Sequence, residues 1–168
     1  MDSYGELVRR YQQDARRTAA AIAGVSVADD AAQEAFVRAY GSLHRFRPGA
    51  PFRPWLLAVV ANVARNQRRS SNRWTRAFRE SGRRGGPAGV APSAEDEAIT
   101  RHGNRAVQAA LDALPHHYRD VVACRYLLDL SEDETARVLG LPRGTVKSRL
   151  SRALDRLERQ LPREVQGA

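Results

Sequence analysis

The stretch LSEDETARVLGLPRGTVKSRLSRAL, residues 130–154, predicts two short helices separated by a tight turn. Ser131 and Glu134 have the spacing of a capping box, in which each side chain accepts a hydrogen bond from the other residue's backbone N–H. Gly140 stands where a glycine commonly ends a helix, and Pro142 is suited to open the next one. Two helices joined in this way form a helix-turn-helix. The second helix has a predicted inward face of Val146, Leu150, Ala153, Leu154, Leu157 and Leu161.

The polar face of the second helix has the chemistry to read duplex DNA. In a helix-turn-helix, the N-terminal part of the second helix enters the major groove. Arg and Lys can bond to guanine O6 and N7, and Ser and Thr can bond to bases or phosphates. The residues predicted to contact DNA are Arg143, Thr145, Lys147, Ser148, Arg149 and Arg152. The alternative is an ordinary amphipathic helix with a solvated charged face, but the capped preceding helix and the glycine turn favour DNA binding.

Positive charge is concentrated in two segments of the chain. The 168 residues carry 28 Lys and Arg against 19 Asp and Glu, a net charge of +9. Residues 62–84 hold 8 basic and 1 acidic side chains, and residues 143–163 hold 7 and 2. The stretch between them, 85–142, is acidic, with 5 basic and 9 acidic side chains. A GC-rich genome would raise the arginine content everywhere without clustering it, so the pattern favours two phosphate-contacting surfaces.

Two helices are predicted at the start of the chain. Apolar residues at helical spacing predict the first helix over 4–23, and Gly24 is expected to end it. Asp29 or Asp30 is expected to cap the second helix. The predicted inward face of the second helix is Ala32, Phe36, Ala39, Tyr40 and Leu43.

A proline-rich loop and a long third helix follow. Three prolines and a glycine over 46–54 predict a stiff loop. The third helix, from about Pro54, begins with the apolar run WLLAVVANVA and continues into the arginine-rich RNQRRSSNRWTRAFR. Trp55 is expected in the core, while Trp74 is expected either to stack on a base or to pack. The start of the helix is therefore predicted to be buried in the core, and its cationic end is predicted to extend outward.

The chain is predicted to be all-α, with two small helical domains joined by a flexible linker. Residues 80–97 hold four glycines and two prolines and almost no large apolar groups, a composition typical of a linker. The predicted domains are therefore 1–79 and 98–168. No strand pattern and no internal repeat occurs in the sequence.

Nothing in the sequence indicates an enzyme, a cofactor or a metal site. The histidines, His44, His102, His116 and His117, have no cysteine or carboxylate at ligand spacing. Cys124 is the only cysteine, so no intrachain disulfide can form, and its apolar surroundings predict a buried structural thiol. Without a signal peptide or an 18-residue apolar span, the expectation is a protein of the cytoplasm that is not inserted in a membrane.

Two long stretches resemble the extracytoplasmic-function group of bacterial RNA polymerase sigma factors. ALPHHYRDVVACRYLLDLSEDETARVLGLPRGTVKSRLSRAL is similar to the conserved region 4 of that family. DDAAQEAFVRAYGSLHRFRPGAPFRPWLLAVVANVARNQRR is similar to region 2, in which an acid–x–x–QE–x–F pattern, an RF pair and an FxxWL helix entry recur. The two occur in the family order with a linker between them.

The resemblance implies roles for residues of the first domain. Binding to the clamp helices of the polymerase β′ subunit is implied for Asp29, Asp30, Gln33, Glu34 and Arg38. Contact with the melted minus-ten promoter element is implied for Arg45, Phe46, Arg47, Phe52, Asn62, Arg65, Asn66, Arg68, Arg69 and Arg73. Recognition of a single strand requires a base to leave the stack for a pocket, at a cost of a few kcal/mol. Asn62 or Asn66 would then bond to the flipped base, and the arginines would hold phosphates.

The resemblance also implies the partners of an alternative sigma factor. These are core RNA polymerase, through its β′ clamp helices and its β flap, promoter DNA, and an anti-sigma factor that covers both regions. The second domain would read the minus-thirty-five element as duplex. Two other classes of protein are the alternatives: a stand-alone helix-turn-helix regulator, which would need a dimer interface that the sequence does not offer, and a nucleoid protein, which would leave the QE helix and the proline loop without a purpose.

Overall fold

The computed structural model describes residues 2–80, 107 and 109–161, with side chains from 3 to 71 in the first range. All regular secondary structure in these ranges is helical, which confirms the all-α prediction. The predicted linker lies outside the described residues, apart from residue 80.

The first half of the chain contains three long helices. They are α1 (Asp2–Ala23), α2 (Ala28–Ser42) and α3 (Phe52–Glu80), with short 3-10 turns at Val25–Val27 and Leu43–Arg45. Gly24 separates α1 from the first turn at a φ of 99°, a conformation that glycine adopts without the strain of a β-carbon.

The starts of α2 and α3 differ from the prediction. Neither Asp29 nor Asp30 caps α2, because the helix begins earlier and Val27 holds the cap position without a side-chain hydrogen bond. Both carboxylates lie in the first turn instead, where they favour the helix dipole. Helix α3 begins at Phe52 rather than near Pro54, which is possible because the first turn of a helix needs no N–H from its proline.

The second half of the chain consists of shorter helices. After a helical stretch at 109–113, α4 (His116–Val122) runs into a π-helical turn (Ala123–Leu127), followed by α5 (Glu132–Leu139) and α6 (Arg143–Gln160). The π turn was not anticipated from the sequence.

The capping box at the start of α5 is confirmed. The backbone N–H of Glu134 donates to Ser131 Oγ at 3.1 Å, and the N–H of Ser131 donates to Glu134 Oε2 at 2.8 Å. That backbone hydrogen bond holds the pKa of the Glu134 carboxyl below its usual value. Gly140 ends α5 in the left-handed conformation with a φ of 65°, and Pro142 precedes α6 without a side-chain cap, as expected.

Replacing Ser131 with alanine is expected to destabilise the protein by about 1 kcal/mol, because an N-terminal N–H of α5 loses its acceptor. Urea denaturation followed by circular dichroism measures the change in the free energy of unfolding. Ser26→Ala, at an exposed serine outside the long helices, is the matched control and should change it by less than about 0.5 kcal/mol. Equal stability of Ser131→Ala and wild type would contradict a stabilising cap.

One hydrophobic core joins the two halves of the chain. The α3 residues Leu56, Leu57 and Val60 belong to the same cluster as Val121 and Val138 from the second half. Helix α3 lies at the centre, in contact with α1 and α2 on one side and with α5 on the other. The arrangement is therefore closed, with the predicted domains packed against each other.

Two residues of the predicted inward faces are exposed instead of buried. Tyr40 of α2 is 63% exposed and Leu154 of α6 is 39% exposed. The core beneath α2 is built largely from alanines, so its buried face is narrow and ends before Tyr40. Cys124 is fully buried in the shared core, as expected, and burial raises the pKa of its thiol to about 12.

Candidate nucleic-acid interface

Helices α5 and α6 pack as the helix-turn-helix that the sequence predicts. Val138 of α5 and Val146 of α6 are both buried in the shared core. The backbone N–H of Leu141 donates to the carbonyl of Ala136 at 2.9 Å, which closes the turn around Gly140. With this side of the pair buried, the opposite side of α6 remains available to a ligand.

Four of the six predicted recognition residues, Arg143 among them, are exposed on α6. Lys147, Ser148 and Arg152 are exposed, and Thr145 is half-buried beside them. The hydroxyl of Ser148 donates to the carbonyl of Thr145 at 3.1 Å, so its oxygen still has the capacity to accept. Neutral and charged hydrogen-bond donors therefore lie on one surface of α6.

Arg143, at the start of α6, is engaged by acids of α5. Its guanidinium lies 3.2 Å from Glu132 Oε2 and 3.5 Å from Asp133 Oδ1. The Arg143 side chain is 65% exposed, so solvent screens these pairs and they hold it only weakly. Contact with DNA would require Arg143 to exchange them for a phosphate or a base.

Arg65 of α3 binds the end of α5 rather than facing solvent. Its guanidinium donates to the carbonyls of Leu139 at 3.2 Å and Val138 at 3.4 Å. These carbonyls belong to the last turn of α5, where a cation compensates the negative end of the helix dipole. Burial lowers the pKa of Arg65.

Among the described residues, Arg68 forms a buried ion pair with Asp120 that joins the two halves. It donates to Asp120 Oδ1 at 2.8 Å and to Oδ2 at 3.3 Å, and also to the carbonyl of Ile22 at 2.9 Å. The side chains of Arg68 and Asp120 are only 15% and 8% exposed. The structure thus uses two arginines that the sequence suggested for promoter contact to hold α3 against the second half.

The remaining polar residues of this part of α3 face outward. Asn62, Asn66 and Arg69 are exposed, and Asn62 Oδ1 accepts a hydrogen bond of 3.3 Å from Arg65. The side chains of Arg73 and Trp74 lie outside the described residues.

The proline-rich loop is held by an aromatic cluster. The ring centroids of Phe46, Phe52 and Trp55 lie 5.3 to 5.5 Å apart. Phe46 and Phe52 therefore shape the loop through packing, while Arg45 and Arg47 are exposed on it. Trp55 is partly buried and packs against the core, in agreement with the prediction.

Helix α2 presents a stripe that the sequence pattern identified only in part. Asp30 and Gln33 are exposed, and Val37 and Tyr40 continue the same face with exposures of 74% and 63%. Exposed apolar residues rimmed by polar ones are typical of a protein-binding surface. Val37 was missed because periodicity assigns no role to a valine off the buried face, and Tyr40 because it was assigned to the core.

The other predicted polymerase-binding residues are engaged in ion pairs. Asp29 lies 2.7 Å from Arg16, and Arg38 lies 2.5 Å from Glu34. Glu34 also accepts a hydrogen bond of 3.0 Å from Gln67, which ties α2 to α3. These pairs orient the polar edge of the α2 stripe.

None of the helices in the described ranges combines the length and the apolar character that a membrane span requires. The same ranges contain no group of three or more histidines, cysteines or carboxylates that could hold a metal ion.

Two family models match the chain. The model of Sigma-70 region 2 matches residues 7–75, and the model of Sigma-70, region 4 matches residues 104–157. The first match covers α2, the proline-rich loop and most of α3, and the second covers the helix-turn-helix.

Individual relatives match over nearly the whole chain. The ECF RNA polymerase sigma factor SigW of Bacillus subtilis is 29% identical over 95% of this chain and 89% of its own length. The probable RNA polymerase sigma factor RfaY of Xanthomonas campestris is 32% identical over 90% of this chain, but the chain covers only 38% of that protein. The structure of CnrH in complex with the cytosolic domain of CnrY matches with a TM-score of 0.65 and 25% identity, over 93% of this chain and 85% of CnrH.

Proposed function

This chain belongs to the extracytoplasmic-function group of the sigma-70 family of RNA polymerase sigma factors, and we propose that it binds core RNA polymerase and directs it to a dedicated set of promoters. The observation that carries the proposal is the presence of both regions, in family order, on helices with suitable exposed faces. A stand-alone helix-turn-helix regulator would not account for the region 2 match over 7–75.

We assign two contacts with core polymerase and two with promoter DNA to surfaces of this chain. The α2 stripe of Asp30, Gln33, Val37 and Tyr40 docks on the β′ clamp helices, since its exposed apolar pair supports burial against a protein. The exposed side of α6 reads the minus-thirty-five duplex, and the second half also docks on the β flap. The exposed loop arginines and α3 amides read the melted minus-ten strand.

Promoter binding requires the closed arrangement to open. Arg65 and Arg68 donate their hydrogen bonds within the protein, so they can hold phosphates only after α3 separates from the second half. Core polymerase supplies the free energy for that separation in the proposed mechanism, by binding the two halves at distant surfaces.

The proposal also covers compartment and control. A sigma factor acts where RNA polymerase is, so we assign the protein to the cytoplasm, without enzymatic activity or a cofactor of its own. The likeness to CnrH, whose structure is that of a complex with the cytosolic domain of CnrY, supports a protein partner for this chain, and the family resemblance implies that the partner is an anti-sigma factor.

Run-off transcription tests the proposed function. Purified core polymerase is mixed with promoter DNA from the source genome, with and without this protein, and core binding is measured in parallel. The proposal requires transcripts that depend on the protein. The absence of both a protein-dependent transcript and core binding would overturn the proposal.

Replacing Lys147 or Arg152 with alanine is expected to weaken minus-thirty-five binding by about 1–3 kcal/mol if the side chain reads a base. If the side chain contacts a phosphate, the slope of the logarithm of the binding constant against the logarithm of salt concentration should instead fall by about one. Binding should then weaken equally for all DNA sequences. Fluorescence anisotropy of labelled duplex promoter DNA, titrated with the polymerase holoenzyme that contains the variant, distinguishes a base contact from a phosphate contact. Arg137→Ala, at an exposed arginine of α5, is the control, and an equal loss there would contradict the assignment.

Replacing Asn62 with alanine is expected to impair promoter opening about tenfold, equivalent to one lost hydrogen bond, while core affinity stays unchanged. Permanganate reactivity of unpaired thymines measures the opening. Asn66→Ala in the same assay decides which amide serves the flipped base. Reduced core binding with normal melting in Asn62→Ala would show the assignment to be wrong.

A further inference from the structure

A cationic cleft, here called the junction cleft, lies where the two halves of the chain meet. It has a volume of about 280 Å³, and its lining includes Arg65, Arg68 and Arg69 of α3, Arg149 of α6, and Asp120 of α4. Arginines from both predicted DNA-binding segments therefore face the same space, although 80 positions separate Arg69 from Arg149 in the sequence.

The charges in the junction cleft are not balanced by the protein. Four guanidinium groups face a single carboxylate, which leaves an excess of three positive charges. Both oxygens of Asp120 are occupied by Arg68. Arg65 donates to neutral groups, and within the part of the chain that the structure describes the side chains of Arg69 and Arg149 make neither a hydrogen bond nor an ion pair.

His116, one of two histidines that line the cleft, is partly buried and lies near positive charge. The pKa of His116 is lowered, first by burial and then by the positive charge of Arg68 and Arg119. Of these two causes, only the positive charge favours an added anion, since burial disfavours a charge of either sign. Arg149 is also half-buried, so solvent screens the repulsion between the two halves less than it would at a fully exposed surface.

We propose that the junction cleft binds a small anion with two or more phosphate groups, which bridges Arg69 and Arg149 and holds the closed arrangement. Guanidinium forks bind phosphate through paired charge-assisted hydrogen bonds, and phosphates linked in a chain can reach arginines on both sides. The volume lies just below the roughly 300–1,000 Å³ of clefts that enclose drug-sized ligands. The cleft thus suits inorganic di- or triphosphate, or the phosphate tail of a nucleotide whose base remains outside.

The site has a consequence for promoter binding, which rests on the proposed function. An anion that binds only the closed arrangement shifts the chain away from the open one, in proportion to its occupancy. By linkage, promoter DNA that requires opening must weaken the binding of the anion by the same factor.

Calorimetric titration of the full chain with sodium tripolyphosphate tests the site, without polymerase or DNA. Orthophosphate at matched ionic strength serves as the comparison for simple screening. We expect tripolyphosphate to bind and to raise the melting temperature well above the orthophosphate effect. Arg69→Gln and Arg149→Gln should each weaken binding about tenfold, and Arg149→Lys, which keeps the charge, should weaken it less.

Charge-matched controls are Arg17→Gln and Arg137→Gln, at exposed arginines that do not line the cleft. Equal affinity of all variants, or an effect no larger than that of orthophosphate, would overturn the proposal. Adenosine triphosphate distinguishes the sources: tighter binding than tripolyphosphate indicates a nucleotide, and weaker binding an inorganic phosphate chain. Since neither result involves transcription, the anion site and the proposed function can fail separately.

Discussion

Replacing Asp120 with alanine is expected to lower the free energy of unfolding by about 3–5 kcal/mol, one of the largest effects of any single substitution in this chain. The substitution leaves the guanidinium of Arg68 buried at 15% exposure without its carboxylate. A buried charge without a partner costs far more than an exposed pair contributes. Chemical denaturation of the purified chain measures the loss.

The control for Asp120→Ala is Asp155→Ala, which removes an exposed carboxylate from α6 and should change stability by less than about 0.5 kcal/mol. Replacing Arg68 and Asp120 together with methionine and leucine should restore part of the loss, because no unpaired charge remains. A loss below about 1 kcal/mol in Asp120→Ala would contradict a buried ion pair between α3 and α4 in solution.

Replacing Val37 with glutamate is expected to weaken core polymerase binding by at least about 2 kcal/mol, or roughly thirtyfold in Kd. In the proposed complex the Val37 side chain passes from 74% exposure to burial, so the variant would bury a carboxylate in an apolar contact. The folded chain should lose less than about 0.5 kcal/mol, because the side chain contacts little in the free protein. Anisotropy of the labelled protein with core polymerase measures the affinity.

Val25→Glu is the matched control, since Val25 is 76% exposed and precedes α2 outside the stripe. Normal binding by this variant together with a loss in Val37→Glu would assign the contact to the stripe. Wild-type affinity of Val37→Glu for core polymerase, or an equal loss in both variants, would contradict the proposed contact between α2 and polymerase.

The local features of the chain could be predicted well from the sequence. The capping box of Ser131 and Glu134, the left-handed Gly140 and the uncapped start of α6 depend on residues within a few positions of each other. The start of α2 was predicted less well, because a 3-10 turn before it moves the cap to Val27. Such a turn depends on how α1 and α2 pack, which periodicity does not contain.

The candidate site was predicted as two separate cationic surfaces. In the structure, some of the predicted residues are exposed and others bind within the protein. Lys147, Ser148 and Arg152 are exposed as expected for groove contacts, while Arg65 and Arg68 bind the opposite half of the chain. A count of arginines cannot make this distinction. Whether a guanidinium faces solvent or a carbonyl depends on neighbours that are remote in sequence.

The sequence by itself determined the all-α fold, the helix-turn-helix and the sigma-factor family. Helix periodicity, capping and family motifs each depend on residues that are close together in the sequence. Only the tertiary structure decided that the two halves share one core, that Arg68 pairs with Asp120 from 52 positions away, and that Arg69 and Arg149 face one cleft. The physical reason is that an ion pair or a shared cleft is set by the packing of helices that are distant in sequence.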